Sequence, residues 1–369
     1  MQSPTFLPLD ARDHYPACLR LAWLAVPVAT ETLDLYLTWH FGSQWESLLA
    51  GRVQFALRSG CLQIQGDASA DWQPSLPPEF SLDSGALVQI TVNSSPVAAL
   101  WGCDFRLVSG EPVLAGASDR LHLGQWQGDE TLTAQVVVAP TDLAIVNAEG
   151  LWPHQITPNQ HAVLERCLAQ FLVREHLTPA LSWMQRRERA HRAADFAASS
   201  ASLSQLKNHL AAVISQPTAD LLTLAIAAGL TPATDLAGGN LRGADLRGLD
   251  LSGFDLSRTN LRGTDFSDAD LSEANLQGAR LGGADLSGAL LSHADLRDCD
   301  LHRASLALAN LGGADLTGAN LLAANLSNAN WSGAKVAGAQ FDHGPGLTPD
   351  LQAMLVAGGA RWVASEQSE

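Results

Sequence analysis

The sequence predicts a multidomain protein with a β-rich α+β domain over residues 1–155, a helical connector over 156–218 and a C-terminal solenoid over 234–343. Three observations predict this organisation. Apolar residues alternate with polar ones in the first 150 positions, helical patterns with capping residues follow, and a five-residue phrase then repeats without interruption. A chain of 369 residues is long enough for two or three domains.

The N-terminal segment carries the patterns of short strands. RVQFALRSGCLQIQGD (52–67) predicts a hairpin that turns at Ser59-Gly60, and later alternating runs are separated by Pro, Gly, Asn and Asp. LDLYLTWHFGSQWESLLA (33–50) could form a helix, which would make the domain α+β. We recognise no family in this segment.

Helical patterns fill the connector. Thr157-Pro158 opens a first helix with Thr157 as its N-cap, a second is expected from Pro179 through WMQRRERAHRAA, and a third over SLSQLKNHLAAVI. Because an open solenoid end exposes leucines and unpaired strand edges, we expect helical caps. The sequence suggests an N-terminal cap over 219–233 and a C-terminal cap and tail over 344–369, with Thr348 as an N-cap.

The repeat is strict at two of its five positions. Its centres fall every five residues from Leu236 to Phe341, which makes 22 copies, 18 of them centred on leucine. The residue two places before the centre is alanine in 15 copies. A period of five fits neither a helix nor an extended strand, so the chain must turn a corner once per copy.

Four corners close a coil of 20 residues. The leucine and alanine of each copy then point inward, and the other three residues face water. Stacked coils pair their backbones at about 4.8 Å per rung, so the 22 copies predict about five and a half coils and a rod of about 26 Å.

This stretch resembles the pentapeptide-repeat family, whose consensus is A(D/N)LXX. The resemblance implies a right-handed quadrilateral β-helix. The lead-in AGLTPATDLAGGNLRGADL is similar to the many such proteins of cyanobacteria. Family members often pair end to end, so a homodimer of that kind and a monomer are both open. Some members resemble duplex DNA and bind topoisomerases.

Composition narrows the class of protein. A net charge of −16 argues against direct binding to nucleic acid or to an anionic membrane face. The apolar run Ala22–Thr30 is too short to span a bilayer, and the first residues lack the basic start of a signal peptide. Five scattered cysteines favour neither a disulfide framework nor a zinc site: Cys18, Cys61, Cys103, Cys167 and Cys299. We expect a soluble, cytoplasmic protein without membrane insertion.

No catalytic or cofactor motif is present in the sequence. It has no GxSxG, HExxH or Walker sequence, and no GxGxxG after a strand, so we expect no cofactor and no metal. An enzyme would have to use an unrecognised site in residues 1–155. The candidates there are scattered and share no spacing: Asp13, His14, His40, Glu46 and Asp104.

Outward residues of the solenoid fall into columns when the chain is stepped by 20. Two acidic columns and the arginines of a further face form a candidate interaction surface: Asp235, Asp255, Asp295 and Asp315; Asp245, Asp265 and Asp285; Arg242, Arg262 and Arg280. Two explanations of the aspartates stay open. Short acidic side chains at a corner can bond nearby backbone amides, or regularly spaced carboxylates can imitate a DNA backbone.

Two smaller features add candidates. Three leucines at outward positions, Leu290, Leu308 and Leu322, could belong to a docking patch. Four arginines form a candidate basic helix: Arg186, Arg187, Arg189 and Arg192. That helix could bind an acidic partner or the acidic solenoid, or it could be an ordinary solvated face.

The predicted function is a non-enzymatic protein–protein interaction or scaffolding module with an unknown protein partner. The alternatives are a DNA-mimicking protein that binds a topoisomerase and an enzyme with a site in residues 1–155.

Overall fold

The protein divides into two compact units, seen here in a computed structural model. The first comprises Met1–Trp152 and Ala169–Leu203, and the second Pro153–Leu168 and Ser204–Glu369. The structure describes residues 10–13, 15–29, 32–65, 76–94, 100–108, 113–127, 133–178, 182–185, 199–216 and 220–363.

The first unit is built from β-strands, as the alternating sequence predicts. Its strands are β1 Asp10–Asp13, β2 Leu19–Ala29, β3 Thr32–Phe41, β4 Ser43–Leu48, β5 Gly51–Leu57, β6 Ser59–Gln65, β7 Glu79–Ser81, β8 Leu87–Ser94, β9 Leu100–Leu107, β10 Gly116–Ala117, β11 Leu121–Gln127, β12 Thr133–Val137, β13 Leu143–Glu149 and β14 Ser182–Gln185.

The described strands of this unit form three antiparallel sheets. One has seven strands in the order β1-β14-β12-β6-β9-β8-β7, a second joins β3 to β2, β10 and β11, and a third has the order β13-β5-β4. Trp39, Phe55 and Phe105 are fully buried, and the Trp39 and Phe105 rings meet edge to face with centroids 4.8 Å apart. Aromatic side chains from different sheets therefore share one apolar core.

Two local predictions in this unit are wrong. Residues 33–50 form strands β3 and β4 rather than a helix, because Leu35, Leu37, Trp39 and Phe41 recur with period two and are all buried. Residues 52–67 do contain two strands, but β5 pairs with β4 and β13, whereas β6 pairs with β9 and β12.

Gly60 explains the missing hairpin turn. It lies inside β6, where a Cβ would sit 2.7 Å from the Phe105 ring carbon Cζ, so glycine is needed for close packing and not for a turn.

The helices are α1 Pro158–His176, α2 Ser200–Ile214, α3 Leu221–Ala227, α4 Pro232–Asp235 and α5 Pro349–Ala357. Thr157 caps α1 as predicted, because its Oγ1 accepts the Gln160 N–H at 3.2 Å and Gln160 Oε1 accepts the Thr157 N–H at 3.0 Å. Thr348 Oγ1 likewise accepts the Leu351 N–H in α5.

The predicted second helix is wrong over residues 182–185, which form β14 between β1 and β12. Pairing on both edges fixes an extended backbone there regardless of local helix propensity. The candidate basic helix lies outside the described residues: Arg186, Arg187, Arg189 and Arg192.

The second unit contains the solenoid, a β-helix whose coils take 20 residues. Parallel bridges join residue n to residue n+20 from Asn240–Asn260 to Asn320–Gln340. Each bridge, or rung, consists of two backbone hydrogen bonds between neighbouring coils. At Asp265, for example, its N–H donates to Ala244 O and its C=O accepts from Leu246 N–H. After the last coils, β16 Arg361–Trp362 pairs in parallel with β15 Gln340–Phe341.

Backbone conformation explains which residues recur in the five-residue repeat. In each turn the alanine-position N–H donates to the preceding central carbonyl, as from Ala284 to Leu281. The residue two places after the centre has positive φ, which is why glycine is frequent there, as at Gly283. The central leucines are buried, and Thr259 and Thr264 replace alanine by donating their hydroxyls to Leu236 O and Leu241 O.

Candidate functional site

Backbone rungs align the predicted columns along the solenoid. Asp245, Asp265 and Asp285 are joined by consecutive bridges. A second series of bridges joins Asp255 to Asn275, Asn275 to Asp295 and Asp295 to Asp315. Asp235 lies in α4, where its carboxylate accepts the Thr231 N–H. Arg280 bridges Asn260 and Asp300, and Arg242 and Arg262 are the residues two after Asn240 and Asn260 on that face.

The aspartates and asparagines immediately before the central residues stabilise the corners of the coil. In 14 copies the side-chain Oδ1 accepts the backbone N–H two residues later, with distances of 2.9 to 3.3 Å. Asp285 and Ser287 are one example, at 3.0 Å. These bonds fix the corner, so the residue type alone does not identify a binding surface.

Several carboxylates are paired with cations. Arg247 lies 2.8 Å from Asp245 and 3.5 Å from Asp265, and Arg297 lies 2.6 Å from Asp295. Arg262 reaches Asp300 at 3.2 Å, and Lys335 reaches Asp315 at 3.4 Å. The bonds from Arg247 and Arg297 hold the pKa values of Asp245 and Asp295 below their usual range, so both remain charged at neutral pH.

Charge is unevenly divided around the solenoid. We define the acidic half as the two faces that start at Asp245 and Asp250, and the balanced half as the two that start at Asp235 and Asn240. Residues 235–342 of the acidic half contain seven acids and one arginine, a formal charge of −6: Asp245, Arg247, Asp250, Asp265, Asp268, Asp270, Glu273 and Asp285. The balanced half contains seven acids and seven bases. The net charge of the repeats therefore lies on one half.

A groove of about 800 Å³ opens beside the start of the acidic half. The beginning of α1, the residue before α3 and the first two coils line it through Asn159, Asp220, Asp245, Gly248, Leu249 and Asp268. Its walls combine carboxylates with one half-buried leucine and with Arg247, whose guanidinium is paired with Asp245 and Asp265.

Asn159 and Arg166 were not found from the sequence. The Asn159 amide accepts the Asp245 N–H at 3.1 Å and donates to the Asp245 carbonyl at 3.2 Å, and Arg166 Nε donates to the Asp235 carbonyl at 2.8 Å. The two residues are seven apart, on one face of α1. That spacing is the only sequence signal that could have drawn attention to them.

The other predicted candidates are dispersed. Leu290 and Leu308 are 44% and 67% exposed, Leu322 is half-buried, and the three lie on different faces. A single patch built from all three is not formed.

The residues considered for an enzyme are also separated. His40, Glu46 and Asp104 belong to β3, β4 and β9, Asp13 ends β1, and His14 lies outside the described residues. Of the four that the structure describes, none lines the groove.

Among the residues described, no group of three or more His, Cys, Asp and Glu side chains is arranged to hold a metal ion. Burial raises the pKa of Cys18, Cys103 and Cys167 to about 12, so these thiols stay protonated. Within the same described ranges, every helix is too short or too polar to cross a membrane.

Comparisons with known proteins identify the repeats. The family model for pentapeptide repeats matches eight copies within residues 233–322. Among solved structures, a pentapeptide-repeat protein of the Arabidopsis thaliana thylakoid lumen is 36% identical, with 35% of this chain and 84% of that chain covered and a TM-score of 0.27. A search of curated proteins finds no match.

Two further solved structures are similar to part of this chain. Rfr23 of the cyanobacterium Cyanothece 51142 is 26% identical, with 34% of this chain and 91% of that chain covered and a TM-score of 0.25. QnrB1, a plasmid-mediated fluoroquinolone resistance protein, is 26% identical, with 27% and 57% covered and a TM-score of 0.17. Each of these three matches covers about a third of this chain or less.

Proposed function

Because the chain belongs to the pentapeptide-repeat family, we propose that it is a non-enzymatic protein–protein interaction or scaffolding protein that presents its solenoid surface to a partner protein. One observation carries the proposal: the outward side chains are held at fixed spacing by backbone rungs, and their net charge is confined to the acidic half. A rigid surface loses little conformational entropy on binding, so such an arrangement favours recognition.

The proposal includes a capped, right-handed quadrilateral solenoid. Four copies per 20-residue coil support four faces. Contacts at the two ends support caps. Asp255 N–H donates to Ala233 O at the first coil, and Arg361 N–H donates to Ala339 O at the last. Covered ends would leave the lateral faces as the surface available to a partner.

Site-specific photo-crosslinking in cells of the source organism tests the proposal. A photoreactive amino acid replaces one outward residue at a time in the full chain: Ser252 or Ser287 on the acidic half, Arg242 or Arg303 on the balanced half, and Val146 in the β-rich unit. We expect one partner protein to be captured from solenoid positions. Capture from Val146 with none from the four solenoid positions would refute the proposal.

A second candidate function rests on the uninterrupted column Asp245, Asp265 and Asp285. Carboxylates at regular spacing fit a DNA mimic that binds a topoisomerase, although Arg247 neutralises part of this column. Replacing all three by asparagine keeps the corner bonds and removes the charge. This function predicts that the triple variant no longer competes with duplex DNA for a topoisomerase, whereas unchanged competition would exclude it.

A further inference from the structure

At the edge of the first coil, the main-chain N–H and C=O of Asp250 have no partner on one side among the described residues, and we call this position the open rung. The repeating pattern would pair this rung with Thr231 N–H and Gly229 O. Thr231 N–H instead donates to the Asp235 carboxylate at 2.7 Å. Among the residues that the structure describes, none pairs with the Asp250 N–H or C=O on that side. The other edge of the same stretch is closed, since Leu251 N–H donates to Asp270 O.

The neighbouring rung shows what a closed edge requires. At Asp245 the Asn159 side chain supplies both the donor and the acceptor that a preceding coil would provide. Asp250 has a backbone of the same kind, and no side chain in the described part of the chain bonds to it in this way. An exposed donor and acceptor at a strand edge are the groups that an added strand uses.

The surroundings of the open rung favour a particular segment. Gly248 and Leu249, which precede Asp250, line the groove. Leu249 and Phe254 stand where most copies have alanine, and both are half-buried rather than buried. Asp250 and Asp270 lie side by side on the same face, and the groove adds Asp220 and Asp268. An extended segment here meets apolar surface close to carboxylates, and Arg247, which also lines the groove, is paired with Asp245 and Asp265.

We propose that the open rung at Asp250 and the adjoining groove receive an extended, arginine- or lysine-bearing segment of the partner protein by strand addition. This inference rests on the proposed interaction function and specifies the partner's chemistry. Backbone bonds to Asp250 align the segment, apolar side chains contact Leu249 and Phe254, and cationic side chains meet the carboxylates of the acidic half.

Titration of the full chain with defined peptides tests this proposal. The probe is an end-blocked octapeptide of alternating arginine and valine, compared with the same peptide N-methylated at every peptide nitrogen and with a glutamate–valine octapeptide. We expect the arginine peptide to slow hydrogen exchange at Asp250 N–H. The methylated peptide should bind about tenfold more weakly, because the loss of one or two hydrogen bonds changes affinity by that order.

Variants of the protein separate backbone pairing from charge. Asp250→Pro removes the N–H together with the carboxylate and its corner bond to Ser252, and should weaken binding about tenfold, more than Asp250→Asn, with circular dichroism confirming the fold. Asp250→Asn keeps the N–H and the corner bond, and Asp270→Asn is its match on a paired rung. Both should weaken binding to a similar extent, by less than about fivefold, because each removes one negative charge from the same face.

Three results would overturn the inference: no binding of the arginine peptide, equal binding of the methylated peptide, or equal binding of the glutamate peptide. Its failure is distinguishable from failure of the proposed function. Photo-crosslinks from the solenoid without peptide binding at Asp250 would leave the interaction function intact and remove this site.

Discussion

The middle coils and the first coil of the solenoid differ in how their edges are satisfied. In the middle, rungs such as Asp285 and Asp300 are closed on both sides by the main chains of neighbouring coils. In the first coil, the Asn159 side chain closes the rung at Asp245, and Asp255 N–H donates to Ala233 O. Asp250 has no such partner among the described residues. A repeated phrase therefore specifies the interior of a stack, whereas its end depends on individual residues.

The difference extends to the inward side chains. Leu301 is fully buried between coils, and Ala304 beside it is almost so. Leu249 and Phe254 at the first coil are half-buried, with no complete coil beyond them. The same five-residue geometry thus yields a closed core in the middle and partly exposed apolar surface at the beginning.

The largest predicted effect is the difference in stability between truncating a fully buried leucine of the middle coils and truncating a half-buried leucine of the first coil. Leu301→Ala should lower the free energy of unfolding by about 2–5 kcal/mol, because it leaves a cavity among fully buried leucines. Leu249→Ala is the matched control and should cost less than about 1 kcal/mol, since it restores the usual residue at a half-exposed position. Urea unfolding of both variants measures the difference. Equal losses would show that the first coil is packed like the middle.

Asn159→Ala should have the next largest effect. It removes both hydrogen bonds to the Asp245 main chain, each worth about 1 kcal/mol, and should accelerate hydrogen exchange at the Asp245 N–H. Asn330→Ala at the far end removes bonds to Asn310 and Ser332 and should leave exchange at Asp245 unchanged. Unaltered Asp245 exchange in Asn159→Ala would mean that this side chain does not close the edge.

The interior of the solenoid was predictable from the sequence because every copy of the repeat is subject to the same packing and backbone constraints. Leucine fills the core, alanine fits between coils, and the positive-φ position favours glycine, so one copy predicts the next. Asn159 was not predictable because it acts on Asp245, 86 residues away. In the β-rich unit, β14 inserts between β1 and β12, and such nonlocal pairing overrides the local helical pattern around residue 182.

Backbone conformation gives a smaller effect within the middle coils. Leu308 has a φ of 63° and a side chain 67% exposed, whereas Gly263 has a φ of 64° and open space where a Cβ would lie. Leu308→Gly should stabilise the protein by up to about 1 kcal/mol, and Gly263→Ala should destabilise it by about as much, because a left-handed backbone strains residues with a Cβ. Thermal unfolding midpoints that shift in the same direction for both variants would contradict this explanation.

The smallest predicted effect concerns the charge pairs of the balanced half. Arg297 holds the pKa of Asp295 below its usual range, so their interaction stabilises the fold above the unfolded pKa of about 3.9 and is lost as pH falls through the lower folded value. Arg297→Gln should therefore cost less than about 1 kcal/mol at pH 7, and the cost should shrink at an acidic pH below the lowered pKa of Asp295, where this carboxyl is protonated in both proteins.

Urea unfolding of the wild type and Arg297→Gln at both pH values, in low and high salt, measures this dependence. High salt should reduce the difference at pH 7, because both side chains are partly exposed and screened. A cost that is the same at both pH values and both salt concentrations would assign the role of Arg297 to packing. In that case Arg297 would stabilise the balanced half through packing of its side chain, as the leucines stabilise the interior coils, and its charge would not contribute to stability.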